Sequence, residues 1–167
     1  MHKILSLAIC FLLLCGSVAH AEMNVGVFDA QVVFTKSDAL KQAQADMKKN
    51  YSGKKTALET KRKELEKLGA SLSASATEAQ KADFFRLQNE YNNSANEYVR
   101  NVQESDLKIR EEMDKLAVLA AQEVAKSKGL NIILDSTSAV YYDTTMNVTD
   151  DMLAAINRVW KSARKSK

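Results

Sequence analysis

Apolar residues recur three, four or seven positions apart along residues 37–128. In the first part of this stretch they are Leu40, Met47, Tyr51, Leu58, Leu65, Leu68 and Leu72. Two heptad-spaced rows follow in the second part, Phe84, Tyr91 and Tyr98, and then Ala95, Val102, Ile109 and Leu116. A period of about 3.5 residues is typical of a coiled-coil seam. The chain contains no proline that would interrupt a helix. The pattern therefore predicts two long helices that pack along a common seam.

A run of mostly small residues, 69–77, separates the two predicted helices. A chain that reads helix, break, helix folds back as an antiparallel hairpin, with arms on the order of 50 to 70 Å long at 1.5 Å per residue. A turn centred near Ser73 would place Gly53 beside Asn93. Because glycine costs a helix about 1 kcal/mol relative to alanine and asparagine is also unfavourable, we predict a hinge in the arm at this level.

Shorter elements flank the hairpin. Residues 23–28 and 130–135 are rich in β-branched and other apolar side chains, which predicts two strands, and residues 139–142 predict a return strand after a turn. Asp29 follows the first strand without a second acid, base or metal ligand beside it. We therefore interpret Asp29 as the cap of the next turn rather than as a catalytic group.

The ends of the predicted helices carry recognisable caps. Ser37 is placed to cap the first long helix, and Gly129 is placed to end the second. Thr149 precedes two acids and is predicted to cap a final helix. Apolar residues recur at helical spacing in that helix, and we expect Trp160 to anchor its buried face.

Residues 1–21 are typical of a secretory signal peptide, with a basic start, an apolar run over 4–14 and the cleavage pattern Ala19-His20-Ala21. The run is shorter than the roughly 20 apolar residues of a membrane-spanning helix. Both cysteines and both histidines lie in this segment, so the mature chain lacks thiol and imidazole chemistry. We expect a soluble exported protein with a formal charge near +2, no cofactor and no enzymatic activity.

The predicted fold class is α+β, with a long antiparallel helical hairpin projecting from a small β-sheet body. The arm comprises residues 37–128, and the body comprises residues 22–36 and 129–167. A core of only about fifty residues is marginally stable without a staple, and the mature chain has no cysteine for a disulfide. We therefore predict an oligomer whose bodies share one sheet core.

Two parts of the chain resemble the Skp/OmpH family of periplasmic chaperones. Residues 25–34, with Val25-Gly26-Val27-Phe28-Asp29, resemble its opening strand and turn. Residues 129–135, 139–142 and 147–150 resemble its closing block. The resemblance implies a homotrimer with a barrel-like body and three helical arms, which enclose a cavity for unfolded outer-membrane proteins in the periplasm. It also implies action without ATP, in accord with the lack of a glycine-rich phosphate loop.

A passive periplasmic coiled-coil scaffold is the first alternative. Lys54 and Lys61 occupy seam positions, and Phe84 adjoins Phe85. Adjacent helix residues point in different directions, so a narrow seam cannot bury both phenylalanines. An exposed aromatic side chain favours transient contact with unfolded clients, whereas a wider seam or trimer packing would cover it. The predicted client-binding residues are Tyr51, Phe84, Phe85 and Tyr91.

Contact with an anionic lipid surface or an acidic client is the second alternative. Basic residues crowd the outer first arm, and the predicted contacts are Lys61, Arg62, Lys63 and Lys67. Export and a balanced total charge argue against nucleic acid as a partner. An enzyme is disfavoured because the carboxylates are interleaved with lysine and arginine, as on a solvated helix face.

Overall fold

The computed structural model describes residues 23–73 and 75–165. Its elements follow in the order β1 (Val25–Phe28), α1 (Ala30–Lys36), α2 (Asp38–Ser71), α3 (Glu78–Lys128), β2 (Ile132–Asp135) and α4 (Thr149–Lys165). Two short 3-10 turns, Ser136–Ser138 and Thr144–Met146, lie between β2 and α4. The signal peptide predicted over residues 1–21 lies outside the described residues.

Helices α2 and α3 form the hairpin arm. They contain 34 and 51 residues, so they are about 50 and 75 Å long at 1.5 Å per residue. The Ser37 hydroxyl accepts a hydrogen bond from the Leu40 amide at 3.2 Å, which confirms the predicted cap of α2. Helix α3 begins with a capping box between Thr77 and Gln80. It ends at Gly129, whose φ of 66° is left-handed backbone that glycine adopts without strain.

The register of the arm differs from the prediction. Lys54 forms an ion pair with Glu97 across the seam. A turn centred on Ser73 would instead place Lys54 opposite about residue 92. The turn lies later in the chain because α2 continues to Ser71 and α3 begins only at Glu78. The predicted pairing of Gly53 with Asn93 is therefore wrong. Gly53 lies close to the level of Tyr98, and Asn93 lies several residues nearer the tip.

The body contains a two-stranded parallel sheet. Strands β1 and β2 pair from Val25 opposite Ile132 to Phe28 opposite Asp135. The entire arm connects the two strands. On the other side of β1, the Val148 amide donates to the Val27 carbonyl at 2.8 Å, so the chain returns to β1 immediately before α4.

The predicted return strand over residues 139–142 is not formed within the single chain. Residues 136–138 make a 3-10 turn instead, and no strand pairs with residues 139–142 in the part of the chain that the structure describes. Val140 is fully exposed and Tyr141 is 84% exposed. The sequence supplies strand-forming side chains here, but the chain crosses back to β1 and does not pair with β2.

The hydrophobic core lies where α1, the end of α3 and α4 meet. Its buried members are Val33, Ala120, Val124, Val148, Met152, Ala155 and Ile156. Ala120 and Val124 belong to the long helix α3, so the root of the arm is also part of the core. Gly26 allows close packing in β1, because a Cβ built there would lie 2.7 Å from the Leu130 side chain.

Two predicted roles in α4 are corrected by the structure. Met152, Ala155 and Ile156 are completely buried, whereas Trp160 is only half-buried and does not anchor the core. The Thr149 hydroxyl does not cap α4. It accepts a hydrogen bond from the Asp29 amide at 3.0 Å, and this ties α4 to the end of β1. Asp29 itself caps α1 as predicted, because its side chain accepts from the Val32 amide at 2.8 Å.

Candidate functional site

The arm is held together at mid-length by an aromatic and polar contact. The rings of Tyr51 and Tyr98 meet edge to face with centroids 6.1 Å apart. The Tyr51 hydroxyl lies 3.0 Å from the Asn101 carbonyl oxygen and 2.7 Å from the Ser105 hydroxyl. The structure thus places Tyr51, a predicted client-binding residue, in the seam, where its side chain joins α2 to α3.

The two seam lysines are accommodated by ion pairs between the helices. Lys54 lies 3.3 Å from Glu97, and Lys61 lies 3.8 Å from Glu90. The hydrogen bond and charge of Lys54, with a further hydrogen bond from Asn101, hold the pKa of Glu97 below its ordinary value. These charges sit at the rim of the seam and their side chains are between 35% and 57% exposed, so they favour register more than stability.

A notch opens between the helices close to these ion pairs. Its volume is about 210 Å³, and small side chains, Ala57 and Ser94, form part of its lining. Gly53 lies four residues before Ala57, and a Cβ at Gly53 would meet no atom within 4 Å. The notch therefore lies next to the level where the sequence predicts a hinge, but Tyr98, which contacts Tyr51 across the seam, also lines it.

An aromatic pair lies near the tip of the arm. The rings of Phe84 and Phe85 are 5.8 Å apart at an interplanar angle of 70°. Phe84 packs over Gly69 on α2, since a Cβ there would lie only 3.3 Å from its ring. Phe85 points away from this contact and is 58% exposed, while Tyr91 is half-buried. Among the four predicted client-binding residues, Phe85 is thus the most accessible.

The predicted anionic-surface residues do not act as one group in the structure. Lys61 pairs with Glu90, and Arg62 lies 3.6 Å from Glu66 on its own helix. Lys63 and Lys67 are exposed, and neither forms an ion pair with any residue that the structure describes. Two of the four cations are therefore available to an external anion without breaking an ion pair.

The C-terminal helix holds the root of the arm through contacts that the sequence analysis missed. The Asn157 side chain accepts from the Asp38 amide at 2.9 Å, and Lys161 pairs with the Asp38 carboxylate at 3.0 Å. Arg158 pairs with Glu123 of α3 at 2.6 Å. The sequence did carry a signal for these contacts. Residues 158–167 are basic and contain no acid, and the acids Asp38 and Glu123 lie at the roots of α2 and α3.

Trp160 lines a groove of about 490 Å³ between α4 and the roots of both arm helices. The Arg164 guanidinium lies 4.8 Å from the centre of the Trp160 ring. Other apolar side chains in the groove include Ile109, Met113 and Leu116. The half-buried position of Trp160 follows from this location at the edge of the core.

Apolar side chains on the body are left uncovered by the single chain. They are Ile132, Leu134, Val140, Tyr141 and Met146. Ile132 and Leu134 belong to β2, whose outer edge pairs with no other described strand. A sheet edge with exposed apolar side chains is a surface on which another strand can pair.

Within residues 23–73 and 75–165, no group of three or more His, Cys, Asp or Glu side chains is arranged to hold a metal ion. None of the helices within them combines the length and the apolar character needed to cross a membrane.

A small α+β body, with two paired strands and the helices α1 and α4, carries a long two-helix arm, and this combination defines the class to which the protein belongs. The fold is similar to that of a proposed outer membrane chaperone (OmpH-like) from Caulobacter crescentus, with a TM-score of 0.60 and 20% identity over 86% of this chain and 89% of that chain. The family model for outer membrane protein (OmpH-like) matches residues 24–156. The chain therefore belongs to the OmpH-like family, as the sequence resemblance predicted. No curated protein matches the sequence.

Proposed function

We propose that this chain is an ATP-independent holdase chaperone of the periplasm. It binds unfolded outer-membrane proteins in a cavity between the helical arms of an oligomer and keeps them from aggregating. One observation carries the proposal, namely the exposed aromatic surface at Phe85 on an arm that projects from the body. Membership of the OmpH-like family supports a chaperone role. Apolar contact is non-directional, so such a surface tolerates many client sequences.

The proposal includes a homo-oligomer, which we take to be a trimer because the family resemblance implies three copies. The uncovered apolar side chains of β2 and of residues 139–142 support an assembly through the body. In such an assembly, residues 139–142 of one copy pair with a strand of the next. This would cover Val140 and Tyr141 and enlarge a core that is small in the single chain.

The decisive experiment combines an aggregation assay with a mass measurement. A urea-denatured outer-membrane barrel protein is diluted into buffer without ATP, alone or with a stoichiometric amount of the mature chain, and light scattering is followed. We expect the chain to suppress the scattering that comes from client aggregation. In the separate mass measurement, light scattering after gel filtration should give the mass of a trimer. A stable oligomer that leaves the aggregation unchanged would instead be a passive scaffold.

Phe85→Ser tests the surface that carries the proposal. The substitution removes an exposed aromatic ring, so we expect client affinity to fall about tenfold and thermal stability to stay nearly constant, as is usual at exposed positions. Ala82→Ser is the matched control, because Ala82 is exposed one turn earlier on the same helix. A large loss of stability with unchanged client binding would show that Phe85 is a packing residue.

Anionic-surface binding is the second candidate function, and the two unpaired cations Lys63 and Lys67 favour it. Co-sedimentation with vesicles that contain an anionic phospholipid, at low and high salt, tests this function. Binding that salt abolishes and that Lys63→Gln with Lys67→Gln weakens would support it. Equal sedimentation with neutral vesicles would contradict it.

A further inference from the structure

One face of α3 carries no charge over much of the arm. Its residues follow one another at steps of three or four positions, which places them in a single row along the helix. We call this row the amide stripe, and it consists of Phe85, Asn89, Asn92, Asn96, Val99, Gln103 and Leu107. All of these residues are exposed, and Val99 and Leu107 are 50% and 59% exposed.

The composition of the amide stripe is not explained by helix stability. Exposed helix faces usually carry charged side chains that pair along the helix, as Arg86 with Glu90 and Arg110 with Asp106 do on this same helix. Asparagine is among the less favourable residues inside a helix. The stripe amides Asn89, Asn92, Asn96 and Gln103 donate no hydrogen bond to, and accept none from, any residue that the structure describes. Their hydrogen-bonding groups are open to a partner.

The stripe is also unsuited to a second helix. Its apolar members Phe85, Val99 and Leu107 are fourteen and then eight positions apart, whereas a coiled-coil seam needs apolar residues at alternating steps of three and four. A helix would also offer the intervening amides few free backbone groups, because its own hydrogen bonds occupy them. The seam to α2 runs along a different face, which contains the half-buried Tyr91 and Tyr98.

We propose that the amide stripe binds an extended segment of the unfolded client through the backbone of that segment. The asparagine and glutamine amides donate to its free carbonyls and accept from its free N–H groups, while the three apolar side chains contact its side chains. From Phe85 to Leu107 the stripe is about 33 Å long, which matches about ten residues in extended conformation. This inference rests on the proposed holdase function. It adds that the amide stripe recognises the backbone of the client.

A charge-neutral double substitution tests the stripe. Asn92→Glu with Asn96→Lys replaces two amides by an ion pair that favours the helix and leaves the net charge unchanged. We expect affinity for a urea-denatured outer-membrane barrel protein to fall about fivefold or more, with an unchanged or higher melting temperature. Thr56→Glu with Thr60→Lys is the matched control, since it makes the same exposed pair on α2. Equal affinity of the two double variants would overturn the proposal.

Site-specific cross-linking separates this inference from the proposed function. A photoreactive amino acid replaces Gln103 in the stripe or, as a control, Thr60 on α2, in the full chain with the same unfolded barrel protein. We expect cross-links to the client from position 103 at several times the yield from position 60. Client binding with no excess at position 103 overturns the stripe alone. Cross-links from position 103 to a second copy of the chain also overturn it, and failure of the unsubstituted chain to bind client overturns the holdase function itself.

Discussion

Two glycines are expected to respond in opposite directions to the same substitution by alanine. Gly26 is buried in β1, where a Cβ would lie 2.7 Å from Leu130 Cδ1 and 3.1 Å from Val148 Cγ2. Gly53 is exposed in α2, where a Cβ would meet no atom within 4 Å. Alanine therefore adds a methyl group to packed core in one case and to open space in the other.

The magnitudes follow from these surroundings. Leu130 can turn its side chain aside, but Val148 is buried and its branched side chain is stiff, so we expect Gly26→Ala to cost about 2 kcal/mol of unfolding free energy, within the range for overpacking. Gly53→Ala should stabilise the chain by about 1 kcal/mol, because glycine is unfavourable inside a helix. At about 2–4 °C per kcal/mol for a chain of this size, the two melting temperatures should differ by roughly 6–12 °C.

The assay is thermal and urea denaturation followed by far-UV circular dichroism. All variants are measured at one protein concentration, because oligomerisation would make stability depend on concentration. A Gly26→Ala variant as stable as the original chain would show that β1 does not pack closely on Leu130 and Val148. Loss of stability in Gly53→Ala would show that the backbone of α2 requires glycine there.

Lys54→Ala should raise the pKa of Glu97 toward its ordinary value, because the cation and its hydrogen bond are removed; an unchanged pKa in an NMR titration would contradict this pairing. Since the pKa of Glu97 is lowered in the folded chain, the pair stabilises the fold above the unfolded-state pKa, and this small contribution is lost as the pH falls through the folded-state pKa. For a hinge at Gly53, amide hydrogen exchange should be fast around this residue and slower toward the body. Gly53→Ala should slow that exchange and reduce capture of large clients more than small ones, whereas uniform exchange along the arm would rule the hinge out.

The arm could be predicted from the sequence because its signals are local. The cap at Ser37 and the stop at Gly129 each depend on a few neighbouring residues, and the seam follows from a repeat sustained over many turns. The register between α2 and α3 could not be predicted as well. It depends on where α2 ends, and the helix continues through Gly69, under the ring of Phe84, to Ser71.

The body was less predictable because its contacts join distant parts of the chain. Residues 139–142 have strand-forming side chains, but whether they form a strand depends on an available sheet edge, which local sequence does not reveal. The apolar face of α4 was recognised, but the share of it that is buried depends on the root of α3. The amide stripe was overlooked because Val99 and Leu107 lie outside the heptad rows that defined the seam.

The pairing of β1 with β2 has a consequence for the order of folding. These strands join parts of the chain that are more than one hundred positions apart. The hydrogen bond from the Asn24 amide to the Asn131 side chain, for example, spans 107 residues. Closing so long a loop in one step carries a large entropic cost and slows folding. A hairpin that grows from the turn before Thr77 brings the two ends together progressively, so we expect the sheet of the body to form only after the two arm helices have paired. Weakening the capping box at the far tip should therefore slow the formation of a sheet that it never touches.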